Sequence, residues 1–172
     1  MLNKLRPRIV VSRCLGFEPC RYDGAIVRGA KVQRLKACVE FLPVCPELEI
    51  GLGVPRSPIH IIVGKGRPHL VQPATGRDLT RRMESFCNRF LSRLKDVDGF
   101  ILKSRSPSCG LSVSVQSPDS RTRAKGRGFF ARAVLELFPE AVITDERCLL
   151  SPVRRKHFLT RVLASARSRT ER

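Results

Sequence analysis

The chain has 172 residues, enough for one ordinary domain that buries most of its apolar surface around a core. Hydrophobic residues make up 42% and charged residues 28%, the balance of a globular protein, and no apolar run approaches the roughly 20 residues a membrane span needs. Lys and Arg number 33 against 15 Asp and Glu, a formal charge of +18 that a small-molecule enzyme does not require. Such an excess favours a polyanion, most plausibly nucleic acid, through counterion release and steering, with a merely solvated basic surface as the alternative.

In chain order, the basic start leads into only a short apolar run, too short for a signal-peptide core, so the chain reads as cytoplasmic. Residues 8–11 form a β-branched strand that ends at Ser12-Arg13-Cys14. Residues 30–40 carry Val32, Leu35 and Val39 at helical spacing, and the next strand, 41–44, leads to Cys45. Ile59 to Val63 is a third strand, with 69–71 as a possible partner. A helix over 81–95 presents Met83, Phe86, Phe90 and Leu94 on one face. The strand 99–102 delivers Lys103 and Ser104, and Cys109 follows closely. Residues 114–127 are polar and rich in turn formers, and read as a mobile loop. A helix over 128–138 stops before Pro139, a strand follows at 141–143, and Ser151-Pro152 opens a last helix to about Ala166, with Ser as N-cap.

Strands alternating with helices predict a single three-layer, Rossmann-like α/β domain over 1–166 with a mostly parallel sheet, followed by a frayed basic tail at 167–172. In such sheets the site lies outside the carboxyl ends of the strands. Cys14, Cys45 and the Ser104–Cys109 segment all fall there.

Seven cysteines is an odd count, and the cytosol disfavours disulfides. None has the CxxC spacing of a zinc ribbon or ferredoxin, so spacing alone fits metal ligands or buried structural thiols. Cys38 and Cys87 fall inside helical patterns as packing residues; Cys148 is undecided, and Cys20 is near enough to Cys14 to serve as a spare ligand. Glu47, two residues after Cys45, is placed to move a proton. The run Lys103-Ser104-Arg105-Ser106-Pro107-Ser108-Cys109-Gly110 crowds cations and hydroxyls beside a thiol, which lowers a thiol's pKa and suits ligation, although serines there also cap turns. Gly126-x-Gly128-x-x-Ala131 matches a dinucleotide fingerprint but follows a polar loop rather than a first strand; holding a phosphate is its fairer use. His60 reads as a core or edge residue, His69 and His157 as surface groups.

Five segments occur in a specific order: Ser12-Arg13-Cys14-Leu15-Gly16, Arg21-Tyr22-Asp23-Gly24, Val44-Cys45-Pro46-Glu47, Gly51-Leu52-Gly53-Val54-Pro55-Arg56 and Lys103 through Gly110. In this the chain resembles the thiouracil desulfidase family, long catalogued as domain of unknown function 523, from about Arg8 to Ala164. The resemblance implies a [4Fe-4S] cluster held by Cys14, Cys45 and Cys109, with the substrate's thiocarbonyl sulfur on the open iron. It also implies Glu47 as acid/base, with Ser104 as its helper and Ser106 as the other candidate. Tyr22 and Asp23 would shape the loop beside Cys14 and contact substrate; Arg56 would bind an anion or form an internal ion pair. Residues 126–139 and 154–159 resemble a subgroup associated with thiolated tRNA. Arg121, Arg123, Lys125 and Arg127 alternate as a phosphate-tracking segment would, so the expected substrate is a thiolated uracil, free or as thiouridine in tRNA. A basic RNA-binding module with a structural metal site and no catalysis is the competing reading.

Overall fold

The computed structural model describes residues 5–27, 29–117 and 123–171. Its first sheet has four strands, β1 (Arg8–Ser12), β2 (Glu40–Val44), β6 (Gly99–Leu102) and β9 (Val142–Asp145), all parallel in the order β2-β1-β6-β9. The chain leaves β1 to one side for β2 and returns to β1's other side for β6. The order therefore reverses between β1 and β6, the switch point at which open α/β sheets place their sites.

Burial explains why these strands are continuous apolar runs. Ile9 and Val11 on β1 join one core with Val32, Leu35, Phe158 and Val162. Val10 joins the other, with Phe100, Met83, Phe86 and Phe130. Side chains alternate faces along a strand, so a strand covered on both faces shows no polar alternation. The covering helices are α1 (Ala30–Gln33) and α5 (Pro152–Thr170) on one side, with α3 (Thr80–Ser92) and α4 (Phe129–Leu137) on the other. These are the three expected layers.

A second sheet was not expected. β3 (His60–Gly64), β4 (Arg67–Gln72), β5 (Arg77–Asp78), β7 (Val113–Gln116) and β8 (Arg123–Gly126) pair in the order β5-β4-β3-β7-β8, antiparallel except for β3 with β7. The predicted mobile loop is thus partly a hairpin: Val113 and Val115 are buried while β8 is exposed. The 30–40 helix is also shorter than its pattern, passing from α1 into a 3₁₀ turn at Arg34–Ala37. The basic tail is helical through Thr170 rather than frayed. Arg169 reaches the buried carboxylate of Asp98 at 3.1 Å, and the Ser165 hydroxyl and Arg8 amide also donate to it. Ser151 caps α5 as expected, its hydroxyl accepting from the Arg154 amide.

Among the described residues, no helix is long and apolar enough to cross a membrane.

Candidate active site

Four strands of the parallel sheet deliver residues to one place. Cys14 follows β1, and Cys45 follows β2 as the residue before the short helix α2 (Pro46–Glu49). Lys103 through Cys109 follow β6, and Glu146 follows β9. Cys14, Cys45 and Cys109 line a single cavity of about 350 Å³ together with Cys20, Glu47, Arg56, Tyr22, Ser104 and Ser106.

The loop after β6 is locked from behind. At the start of α4 the amides of Phe129, Phe130 and Ala131 donate to the carbonyls of Pro107 and Ser108 at 3.1, 2.8 and 3.2 Å. Those amides are therefore spent on protein, and the phosphate expected at this helix start has no donors left there. Gly128 is required for the approach, since a Cβ would stand 2.4 Å from the Ser108 carbonyl oxygen. Within the loop, the Ser106 hydroxyl accepts from the amides of Ser108 and Cys109 at 3.2 and 3.1 Å, the turn-capping use of serine.

Glu47, in the first turn of α2, has a 13% exposed side chain and two charge-assisted partners. Arg56 donates to Oε2 through Nη2 at 2.7 Å and through Nε at 2.9 Å. The hydroxyl of Ser108, itself fully buried, donates to Oε1 at 3.1 Å. The serine at Glu47 is therefore Ser108, not Ser104. Ser104 gives its hydroxyl to Glu146 Oε1 at 2.6 Å and its amide to Oε2 at 2.8 Å. Lys103 Nζ completes that network at 2.6 Å from Glu146. Burial pushes the Glu146 carboxyl up, but the donors Lys103 and Ser104 outweigh it and leave it below the ordinary carboxylate value.

Arg56 forms the internal ion pair rather than presenting a free cation, and Nη2 also reaches the Cys20 carbonyl at 3.0 Å. Tyr22 stands 43% exposed at the mouth of the cavity. Asp23 does not line it; Oδ1 accepts from the Ala25 amide at 3.0 Å and Oδ2 pairs with Arg21 at 3.2 Å, so its part is to shape the loop.

Three of the cavity thiols, Cys20, Cys45 and Cys109, are held above the ordinary thiol value. Burial pushes Cys109 well above the ordinary thiol value, the opposite of the lowering expected from the cations beside it, with the Ser12 hydroxyl opposing. A hydrogen bond with Cys20, and then burial, push Cys45 up likewise. Cys20 is raised to about 11, chiefly by its hydrogen bond with Cys14, with burial adding and the Cys45 thiol opposing. Thiolate ligation must displace these protons, so metal affinity should rise with pH. The donors are all sulfur, the chemistry that suits iron–sulfur clusters and zinc. Among the described residues no three such donors converge closely enough to hold one ion, and the thiols stand around the cavity wall instead.

A second, larger cavity of about 710 Å³ shares Tyr22, Glu47, Arg105 and Pro107 with the first. Arg105, Arg123, Lys125 and His60 line it, which makes it a basic groove beside the thiol cavity. Arg127 is exposed beyond the end of β8, and Arg121 lies outside the described residues. The sequence pattern placed Arg105 and Ser108 in the run beside Cys109 without giving either a role, and it gave none to Glu146. The only signal for Ser108 was its place beside Cys109.

Residues 9–146 match the family model described as 2-thiouracil desulfurase. The uncharacterized protein YbbK of Bacillus subtilis (strain 168) is 33% identical over 144 residues, spanning 80% of this chain and 95% of the relative. A solved structure described as the [4Fe-4S]-dependent thiouracil desulfidase TudS (DUF523Vcz) is 27% identical. It superposes with a TM-score of 0.64, over 84% of this chain and 94% of that one.

Proposed function

Because the chain belongs to the 2-thiouracil desulfurase family, we propose that it is a [4Fe-4S]-dependent desulfidase that replaces the thiocarbonyl sulfur of a thiolated uracil by oxygen. The observation that carries this reading is the meeting of three thiols from three strand ends with an arginine-paired carboxylate in one cavity. Cys14, Cys45 and Cys109 are the proposed ligands. When bound, the cluster would supply a soft Lewis-acid iron for the substrate's sulfur.

The reaction balances without redox: water adds its oxygen to the carbon, and the sulfur leaves as hydrogen sulfide. Glu47 is the proposed proton carrier, taking a proton from the attacking water and returning it as the sulfur departs. Arg56 and Ser108 fix the orientation of that carboxylate, which is what a positioned general base requires. The Tyr22 ring at the mouth offers a face on which a flat pyrimidine can stack.

The basic groove supports a finer reading, in which the substrate is thiouridine within tRNA. A free base in the inner cavity lies away from Arg123 and Lys125, which line the outer cavity alone, whereas a polynucleotide carries its phosphates into the groove that they line. The cytoplasm, where seven free thiols stay reduced, is the compartment that fits.

The test is anaerobic reconstitution followed by desulfidation assays on 2-thiouracil and on thiolated tRNA. Expected are about four irons and four sulfides per chain, loss of the thiocarbonyl absorbance, and release of sulfide. Single Ser variants at Cys14, Cys45 and Cys109 should lose most of the iron; those at Cys38 and Cys87 should keep it. Zinc with no labile sulfide, or tRNA binding that survives loss of all three thiols with no turnover, would favour the non-catalytic RNA-binding reading.

A further inference from the structure

The cavity holds a fourth thiol that the proposed ligand set leaves unused. Cys20 lies between β1 and α1, is 2% exposed, and lines the same wall as Cys14, Cys45 and Cys109. It is packed in the same buried cluster as Cys14 and Cys45. A purely structural cysteine looks different here: Cys87 packs on α3 among apolar side chains such as Phe86, Met83 and Phe130, away from the cavity.

The backbone at Cys20 is held firmly. Its amide donates to the Glu18 carbonyl at 2.8 Å. Its carbonyl accepts from Arg56 Nη2 at 3.0 Å and, weakly, from the Cys45 thiol at 3.9 Å. Arg56 is also the partner of Glu47, so one guanidinium ties the Cys20 loop to the proposed proton carrier. A side chain placed in this way has few directions to point other than into the thiol cavity.

We propose that Cys20 is a displaceable fourth ligand, whose thiolate occupies the iron left open by three cysteines until the substrate's sulfur replaces it. The inference rests on reading the site as a [4Fe-4S] centre. The exchange is neither oxidation nor reduction. The substrate's sulfur would replace the Cys20 thiolate on that iron, and the thiolate would return once the sulfur has departed as hydrogen sulfide, with both protons of that product coming from the attacking water. The benefit is protection, because an iron without a protein ligand is the one most easily lost when a cluster is oxidised. A thiolate tethered within the same cavity has a high effective concentration at that iron.

The experiment compares wild-type and Cys20→Ala holoproteins reconstituted side by side without oxygen. Both should carry the same iron and sulfide content. On titration with ferricyanide, the variant should pass to a three-iron cluster several-fold faster, read from the characteristic EPR signal, and added 2-thiouracil should slow that loss. Equal rates in the two proteins would overturn the proposal. So would iron missing from the variant before oxidation, which would make Cys20 a permanent ligand. A wild-type protein that forms no cluster would overturn the reading of the site itself. Should Cys20→Ala fail to fold, Mössbauer spectra of substrate-free, iron-57-labelled wild type decide instead. Four all-sulfur irons are expected, and an iron with oxygen or nitrogen ligation refutes the proposal.

Discussion

Removing the Ser108 hydroxyl should slow the reaction far more than removing that of Ser104. In Ser108→Ala the carboxylate of Glu47 loses the donor at 3.1 Å on Oε1 and keeps only Arg56 on Oε2. A hydrogen bond to a charged group contributes about 1.5–3 kcal/mol. If the bond holds the carboxylate for proton transfer in the transition state, the loss appears in kcat as roughly a 10- to 160-fold fall. Ser104→Ala breaks a shorter bond, 2.6 Å, but to Glu146, which keeps Lys103 and the Ser104 amide. Its cost, again about 1.5–3 kcal/mol, should fall on stability, with kcat within a few-fold of wild type. The assay is steady-state desulfidation of 2-thiouracil, with kcat and KM determined separately for holoproteins of equal iron content. A larger kcat loss in Ser104→Ala than in Ser108→Ala would refute the assignment of the Glu47 hydroxyl.

Arg56→Met strips a buried carboxylate of its cation, the Arg56 and Glu47 side chains being only 6% and 13% exposed. The cost should be about 3–5 kcal/mol, a fall in melting temperature of roughly 6–20 °C. Adding Glu47→Gln should recover part of it, and unchanged melting of the single variant would refute the pairing. Glu146 titrates below its ordinary value in the folded state, so its network stabilises above the unfolded carboxylate value of about 4.3 and is lost as pH falls through the lower folded value. Acid unfolding of Glu146→Gln should accordingly be shallower over that window, and coincident curves would refute the network. If tRNA is the substrate, neutralising Arg123 and Lys125 should make the dependence of log affinity on log salt shallower by about 0.7–0.9 for each phosphate that the two side chains neutralise in the wild type. Turnover of free thiouracil should stay nearly unchanged, and an unaltered slope in a binding titration would exclude the β8 groove.

What could be read from the sequence follows what burial writes into it. β1 was visible because both its faces are covered, which forces the run Ile9-Val10-Val11. α3 and α4 were visible because each buries one stripe, Met83, Phe86 and Cys87 on one and Phe130 and Val134 on the other. β8 had no such mark: Arg123, Ala124 and Lys125 are exposed, and the strand exists through its pairing with β7. The helical end of the tail depends in part on Asp98, which Arg169 meets from 71 residues away. Ser108 and Ser104 look alike as letters. Which of them faces Glu47 is decided by a turn that the start of α4 holds from another part of the chain.

On the proposed reading, the two cavities divide the work in a way that the charge alone did not suggest. The inner one, closed in by strand ends and α2, takes its chemistry from sulfur and a paired carboxylate, and Arg56 there is neutralised by Glu47. Arg13, Arg21 and Lys103 on the inner wall are likewise paired with carboxylates, while Arg123 and Lys125 line the groove beside the second sheet and Arg105 lines both cavities. A soft metal centre benefits from a dry wall, whereas a polyanion benefits from solvated, unpaired cations. The second sheet supplies β3, β7 and β8 as the floor of a groove that meets the inner site at Tyr22 and Glu47. A nucleotide held by its backbone in that groove would have its base at the rim of the inner cavity. On this division of labour, variants in the groove should change KM for RNA, and variants in the inner cavity should change kcat for every substrate.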